Sequence, residues 1–161
     1  MKKKNWPLLA LIGFLIVAGG VLFFNKVTFL QLENMDRGRT LHIRVEPFEP
    51  FSIYYIHSIY REPVLEEFRV GKGFLLLEGV RTKSFAVMEY YGFEDNKEFH
   101  PVTQKLGAIF LKWGTGDGQA LIVRERKIYL SEIGERGDRV QLRVVSVPLG
   151  YNLVKKFIPM I

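Results

Sequence analysis

The chain has 161 residues and a formal net charge of +6, from 23 Lys and Arg against 17 Asp and Glu. Hydrophobic residues make up 48% and charged residues 25%, which excludes a disordered chain and suffices for one membrane segment and one folded domain. There is no Cys, which excludes disulfides, a Cys nucleophile and Cys-based zinc sites. With only three His and no cofactor motif, we expect neither a metal site nor a cofactor.

The first segment predicts a membrane anchor. Trp6 to Phe24 is an uncharged apolar run of about nineteen residues, long enough to cross a bilayer as a helix. Lys2, Lys3 and Lys4 precede it, and the positive-inside rule then places the N-terminus in the cytoplasm and the remainder outside. The sequence therefore predicts a single-pass anchor over 1–26 that contacts the lipid bilayer through Trp6–Phe24, followed by an extracytoplasmic domain over 27–161. A cleaved signal peptide is the alternative.

After the anchor, short β-type segments alternate with turn residues. The polar segment 92–105 contains Pro101 and is predicted to be a loop. The remaining pattern predicts an all-β domain, a sandwich or a partly open barrel of about nine or ten strands. The predicted strands are 27–33, 41–45, the hairpin 51–70, 74–80, 84–91, 107–113, 120–124, 127–130 and 139–147.

The hairpin over 51–70 is the densest run of β-forming residues, and alternation gives each strand an apolar face. One register keeps the apolar sets together and leaves Arg61-Glu62 as the loop. That register pairs Ile59 with Val64, His57 with Glu66, Tyr55 with Phe68 and Ile53 with Val70.

This register predicts that His57 and Glu66 are neighbours on an apolar face. Buried polar groups are normally paired, so the two residues either satisfy each other as a structural pair or line a groove that holds a ligand. We favour the structural pair and keep the groove as the alternative. Ser58 beside His57, and Glu89 on the apolar face of predicted strand 84–91, complete the candidate ligand or partner residues. No catalytic residue is assigned, because adjacent strand residues such as His57 and Ser58 point to opposite faces.

Three other features are weaker candidates. The glycine-rich segment 114–118 lacks the Lys-Ser/Thr ending of a phosphate-binding loop and is interpreted as a hairpin turn. Glu94, Asp95, Glu98 and His100 in the predicted loop are interpreted as solvated rather than metal-binding. Basic residues are dispersed among acids, and no aromatic stacking motif accompanies them, so we expect no nucleic-acid partner.

The hairpin also carries a family resemblance. The pattern Phe51-x-Ile53-x-Tyr55-Ile56-His57-Ser58 followed by Pro63-Val64-x-Glu66-x-Phe68-x-Val70 resembles the signature of the family called domain of unknown function 1850. The similarity extends over about residues 40 to 149. It departs from the family at 85–91, where members carry a small-residue, Gly-Ala-Gly-like segment.

The resemblance implies a small extracytoplasmic β-rich protein, and it implies no catalytic residues. Such proteins are encoded beside TAXI-type subunits and fused permeases of tripartite ATP-independent periplasmic (TRAP) transporters. We therefore expect a membrane-anchored accessory or binding protein whose partner is a transporter permease or a solute-binding protein. The alternatives are an envelope enzyme that uses His57 and Glu66 as acid and base, and a structural envelope protein.

Overall fold

The computed structural model describes residues 5–95, 97–114 and 118–150. The N-terminal lysines, most of the glycine-rich segment 114–118 and the C-terminal segment 151–161 lie outside the described residues. The chain divides into two compact units, one formed by Met1–Thr28 with Ser146–Ile161 and the other by Phe29–Val145.

The first unit contains helix α1 (Trp6–Phe24), which has 19 residues and no buried side chain. Pro lies in its first turn, where the missing N–H has no intrahelical acceptor to lose. At its C-terminal end the Asn25 side chain donates a hydrogen bond to the Val21 carbonyl at 2.9 Å. The helix is long and apolar enough to cross a membrane, a test that a signal sequence also passes. The predicted helix is thus confirmed, whereas its membrane insertion and orientation stay predictions.

The described residues form ten strands in two antiparallel sheets, so the predicted all-β fold is confirmed as a sandwich-like structure and not a closed barrel. A short helix α2 (Phe85–Tyr90) and one turn of 3₁₀-helix (Leu130–Glu132) accompany the strands. In chain order the strands are β1 (Lys26–Asn34), β2 (Thr40–Val45), β3 (Pro50–Ile56), β4 (Pro63–Val70), β5 (Leu75–Arg81), β6 (Phe99–Leu106), β7 (Ala108–Lys112), β8 (Ala120–Val123), β9 (Arg126–Tyr129) and β10 (Arg139–Pro148).

Both sheets contribute to one hydrophobic core. The four-stranded sheet has the order β2-β1-β10-β7, and the six-stranded sheet has the order β6-β5-β4-β3-β8-β9. Leu30 and Leu142 of the first sheet belong to the same buried cluster as Phe68 and Leu121 of the second. Full burial of one such side chain stabilises the fold by about 2 kcal/mol, so this shared cluster explains why the sheets pack face to face.

The predicted hairpin forms, but its predicted register is wrong. β3 pairs with β4 so that Ile53 lies opposite Glu66 and Tyr55 opposite Val64. The predicted two-residue loop is replaced by a longer one, closed by a hydrogen bond of 2.8 Å from the His57 N–H to the Glu62 carbonyl. Arg61 in this loop has a φ of 59°, the left-handed conformation that ends many four-residue hairpin loops. The observed register differs from the predicted one by an even number of residues, so the side chains that are predicted to share an apolar face still share it.

The predicted strand 84–91 is wrong, because this segment forms helix α2. The Ser84 side chain accepts a hydrogen bond from the Val87 N–H at 3.4 Å, which caps the first turn. Val87 and Met88 are buried, whereas Glu89 is exposed. The expectation that Glu89 lies on an apolar strand face is therefore also wrong.

The predicted loop 92–105 is only partly a loop, because β6 begins at Phe99. β6 is an edge strand of its sheet, where a proline is tolerated because one side of the strand has no ladder partner. Pro101 pairs with Gly79 of β5, and this glycine leaves room for the Phe99 ring, whose nearest atom would lie 2.2 Å from an added Cβ.

Candidate functional site

The predicted site residues are not all brought together. Glu66 lies in the middle of β4 and is partly buried, and His57 is the first residue after β3 and is 6% exposed. Ser58 and Glu89 are both exposed. No hydrogen bond joins His57 to Glu66 in the described part of the chain. The predicted cross-strand pair is wrong, because the observed register places Ile53 opposite Glu66.

Two tyrosines take the place expected for His57. The Tyr55 hydroxyl donates a hydrogen bond to Glu66 Oε1 at 3.1 Å, and the Tyr91 hydroxyl donates to the same oxygen at 3.0 Å. The two hydroxyl oxygens also contact each other, and because each phenol carries one proton, this contact is not a further hydrogen bond while both hydroxyls donate to Glu66. We call this set of Tyr55, Glu66 and Tyr91 the carboxyl–phenol cluster.

The local fold explains how the cluster assembles. Tyr55 lies opposite Val64, so Glu66 is its diagonal neighbour on β4, within reach of a long aromatic side chain. Tyr91 follows α2, whose buried Val87 packs with Val64 in a small apolar cluster of the second unit. The rings of both tyrosines pack on that apolar cluster, which leaves their hydroxyls to meet the carboxyl group.

Burial controls the protonation of the cluster. Burial raises the pKa of Glu66, although the hydrogen bonds from Tyr91 and Tyr55 oppose the rise. Burial also raises the pKa of Tyr91 to about 12, and burial together with the nearby Glu66 raises the pKa of Tyr55. Both phenols therefore remain protonated donors at neutral pH, and the carboxyl group takes up a proton more readily than an exposed glutamate does.

Three surface depressions meet at the carboxyl–phenol cluster. One, which we call the apolar pocket, has a volume of about 260 Å³. A second, the basic pocket, has a volume of about 530 Å³. A third of about 520 Å³ lies on the side of β5 and β6 and includes Glu66, Tyr91 and Phe93. The apolar pocket is lined by Ile53, Tyr55, Glu66, Ile109, Phe110, Leu111, Lys112, Gln119, Ala120 and Leu130. The basic pocket is lined by Tyr55, Ile56, His57, Ser58, Arg61, Tyr90, Tyr91, Lys112, Gly114 and Gln119.

His57 belongs to the basic pocket and is held there by aromatic contacts. Its ring stacks on Tyr60 at a centroid distance of 5.3 Å and meets the edge of Tyr90 at 4.9 Å. Its Nδ1 accepts a long hydrogen bond of 3.4 Å from the Tyr60 N–H. His57 and Ser58 therefore line one pocket, and Glu66 lines the next one.

Sequence reasoning missed the two tyrosines. Tyr55 was placed correctly on the apolar face of β3, but nothing in the alternation distinguishes a core tyrosine from one whose hydroxyl binds a carboxylate. Tyr91 was missed because 84–91 was interpreted as a strand. The available signal was Ser84 directly before the apolar Phe85, the position that an N-cap residue takes at a helix start.

The acidic residues of segment 92–105 make local contacts. Asp95 accepts a hydrogen bond from Lys97 at 2.7 Å and lies 2.6 Å from His100 Nε2, while the His100 ring stacks on Phe93. Within the described residues, no group of three or more His, Asp or Glu side chains could hold a metal ion.

Comparison with known proteins adds no relative. No protein-family model, no curated protein and no solved structure matches this chain.

Proposed function

We propose that this chain is a membrane-anchored extracytoplasmic binding protein that holds a small ligand in the groove at the carboxyl–phenol cluster and acts beside a TRAP-type solute transporter. The anchor is α1, and the domain outside the cell is the β-sandwich. The transporter assignment rests on the resemblance of 51–70 to the family named above, and the partner would be a permease or a solute-binding subunit.

One observation carries the binding role: a partly buried carboxyl group, with both phenol donors fixed on the same oxygen, lies where three depressions meet. A small number of fixed polar groups in a largely apolar groove is typical of ligand sites. Ionisable residues with displaced pKa values cluster at such sites. Glu66 meets both criteria through its burial and its two hydrogen bonds.

The same cluster favours binding over acid–base catalysis. A general base needs a pKa near the working pH, yet burial displaces the pKa values of Tyr55 and Tyr91 upward, away from neutrality. The predicted partner of Glu66 is His57, whose ring nitrogen accepts from the Tyr60 N–H instead. The titratable groups in contact with Glu66 are therefore two phenols that stay protonated at neutral pH, which suits a site that holds a ligand.

The predicted topology can be tested directly because the chain contains no Cys. Single variants Ser58→Cys and Asn5→Cys, made in the full chain, are exposed to a membrane-impermeant maleimide in intact cells. We expect labelling of Ser58→Cys in intact cells and labelling of Asn5→Cys only after permeabilisation. The reverse pattern would place the domain in the cytoplasm and overturn the proposal.

The transporter association is tested by photo-crosslinking in cells. A photoreactive residue replaces exposed Tyr90, which lines the basic pocket, or exposed Lys72, in the turn before β5, as the control. We expect a crosslink to a transporter permease or solute-binding subunit from position 90 and not from position 72. Equal crosslinking from both positions, or crosslinks to lipid and abundant envelope proteins alone, would count against the association.

A further inference from the structure

The basic pocket differs from the apolar pocket in charge. Arg61 and Lys112 both line it, and neither is paired with a carboxylate among the described residues. No described Asp or Glu lines the pocket. Two cations that face one depression, with no paired carboxylate among the described residues, give it a positive potential that favours an anionic group.

His57 supplies a ring N–H donor to the same pocket. Its Nδ1 accepts from the Tyr60 N–H, so the ring donor that remains is Nε2. No described residue accepts a hydrogen bond from this Nε2. The residue as a whole is 6% exposed, but Nε2 is not one of the enclosed side-chain atoms without a partner, so this nitrogen is open to water or to a ligand in the pocket.

The apolar pocket continues from the basic one. Tyr55, Lys112 and Gln119 line both, so a molecule that extends from one pocket into the other passes these three side chains. Six of the ten residues that line the apolar pocket are hydrophobic. The apolar pocket is therefore suited to a hydrocarbon chain, and the basic pocket is suited to a charged group.

We propose that the groove binds an amphipathic anion, with a carboxylate or phosphate head held by Arg61, Lys112 and His57 and an apolar chain in the apolar pocket. This proposal rests on the proposed function and names the chemical class of its ligand. The two volumes, about 260 and 530 Å³, are those of small-molecule sites rather than macromolecular interfaces.

The proposal is tested with octanoate and the full chain in phosphatidylcholine nanodiscs, by equilibrium dialysis with empty nanodiscs subtracted. Octan-1-ol tests the head group, and butyrate tests the chain. We expect octanoate to bind on the order of a hundredfold more tightly than butyrate, because each buried methylene strengthens binding about fourfold. We expect octan-1-ol to bind at least about tenfold more weakly than octanoate, since it lacks the charged head.

Variants locate the head group. Arg61→Gln and Lys112→Gln should each weaken octanoate binding by about tenfold, the loss expected for one charge-assisted hydrogen bond. Lys72→Gln removes the same charge from an exposed position outside both pockets and should leave binding unchanged. Circular dichroism and the unfolding midpoint of each variant confirm that the fold is intact. Equal losses of octanoate binding in all three variants would show that the effect comes from net charge alone. That result would overturn the assignment of the head-group site.

The outcomes separate this proposal from the proposed function. Equal binding of octanoate and octan-1-ol would retain a binding groove and reject the anionic head. Absence of octanoate binding would reject the ligand class, while maleimide labelling and crosslinking would still decide the anchored accessory role. Dihexanoyl phosphatidylglycerol, titrated in the same way, distinguishes the sources. Tighter binding than octanoate assigns a membrane lipid, and weaker binding assigns a free carboxylic acid.

Discussion

Two carboxyl groups in the β-sandwich unit, those of Glu66 and Asp138, have pKa values displaced in opposite directions. Glu66 accepts hydrogen bonds from two neutral hydroxyls, and burial raises its pKa. Asp138, 8% exposed, accepts from the Glu135 N–H at 2.8 Å, Asn34 Nδ2 at 2.8 Å and Arg37 Nε at 2.7 Å. The Glu135 N–H and the Asn34 and Arg37 side chains lower the pKa of Asp138 to about 2.

The difference lies in the donors rather than in the carboxyl groups. A cation and a backbone N–H favour the ionised form, whereas neutral phenols only partly offset the loss of water. The network at Asp138 ties the turn after β1 to the start of β10, and no pocket discussed above includes it. The cluster at Glu66 opens onto three depressions. One carboxylate therefore stabilises the fold, and the other is retained at a cost in stability, as is common at functional sites.

The largest expected effect breaks the Asp138 network. Asn34 is fully buried, and its side chain also accepts from the Asp36 and Arg37 N–H groups at 3.0 Å. Asn34→Ala leaves the Asp36 and Arg37 N–H groups without their acceptor and removes one of the three donors to Asp138, so we expect a loss of about 3 kcal/mol in the free energy of unfolding. Urea unfolding of the full chain in mild detergent measures it. A loss below about 1 kcal/mol would mean that water replaces the amide.

A steric change at the same network should cost less. A Cβ at Gly134 would lie 2.3 Å from Asn34 Nδ2 and 2.8 Å from Asp138 Oδ2, and both atoms are already held by hydrogen bonds. Gly134→Ala should therefore destabilise the fold by about 2 kcal/mol, as overpacking typically does. Gly92→Ala is not a matched control because of its positive φ, whereas Gly107 has open space for a Cβ. Gly107→Ala should change the unfolding midpoint little.

The pH dependence of stability should have opposite signs at the two carboxyl groups. The lowered pKa of Asp138 contributes stability above its unfolded value of 3.8, and this contribution is lost as pH falls from 3.8 towards about 2. The raised pKa of Glu66 means that ionisation opposes folding. Its penalty is absent below the unfolded value of 4.5 and grows as pH rises through the folded pKa.

The matched variants are Asp138→Asn and Glu66→Gln. Relative to the wild-type chain, Asp138→Asn should be less stable at neutral pH, with the deficit narrowing below pH 3.8. Glu66→Gln should gain stability relative to the wild-type chain as pH rises above 4.5. Unfolding free energies across the pH range, taken as differences from wild type, measure both. If the stability differences of the two variants from wild type changed with pH in the same direction, the contrast between the two carboxyl groups would be wrong.

The sequence predicted the sandwich better than the site, for physical reasons. Alternation identifies which face of β3 and β4 is buried, and a register error by an even number of residues does not change the faces. The partner of Glu66 depends on the register itself and on the loop length, and Arg61-Glu62 lacks the Asn or Gly that identifies a tight two-residue turn. Tyr91 depends on α2, a single short helix whose packing on Val64 and Val80 outweighs the β propensity of its residues.

The smallest expected effect on stability comes from Arg61, which lines the basic pocket. Arg61 has a φ of 59°, which costs a non-glycine residue about 1 kcal/mol or more. Arg61→Gly relieves this strain, and the greater flexibility of glycine in the unfolded chain offsets part of the gain. We therefore expect a stability gain of up to about 1 kcal/mol, measured by urea unfolding.

The same variant should lose function as it gains stability. Arg61 lines the basic pocket, and its removal deprives an anionic head group of one charge-assisted hydrogen bond, so octanoate binding should weaken about tenfold. Strain that persists at a residue lining the pocket is then explained by what the side chain does there. A variant that is more stable and binds octanoate as well as the wild-type chain would show that Arg61 serves the turn alone. The contrast between the two regions would then rest on the carboxyl groups.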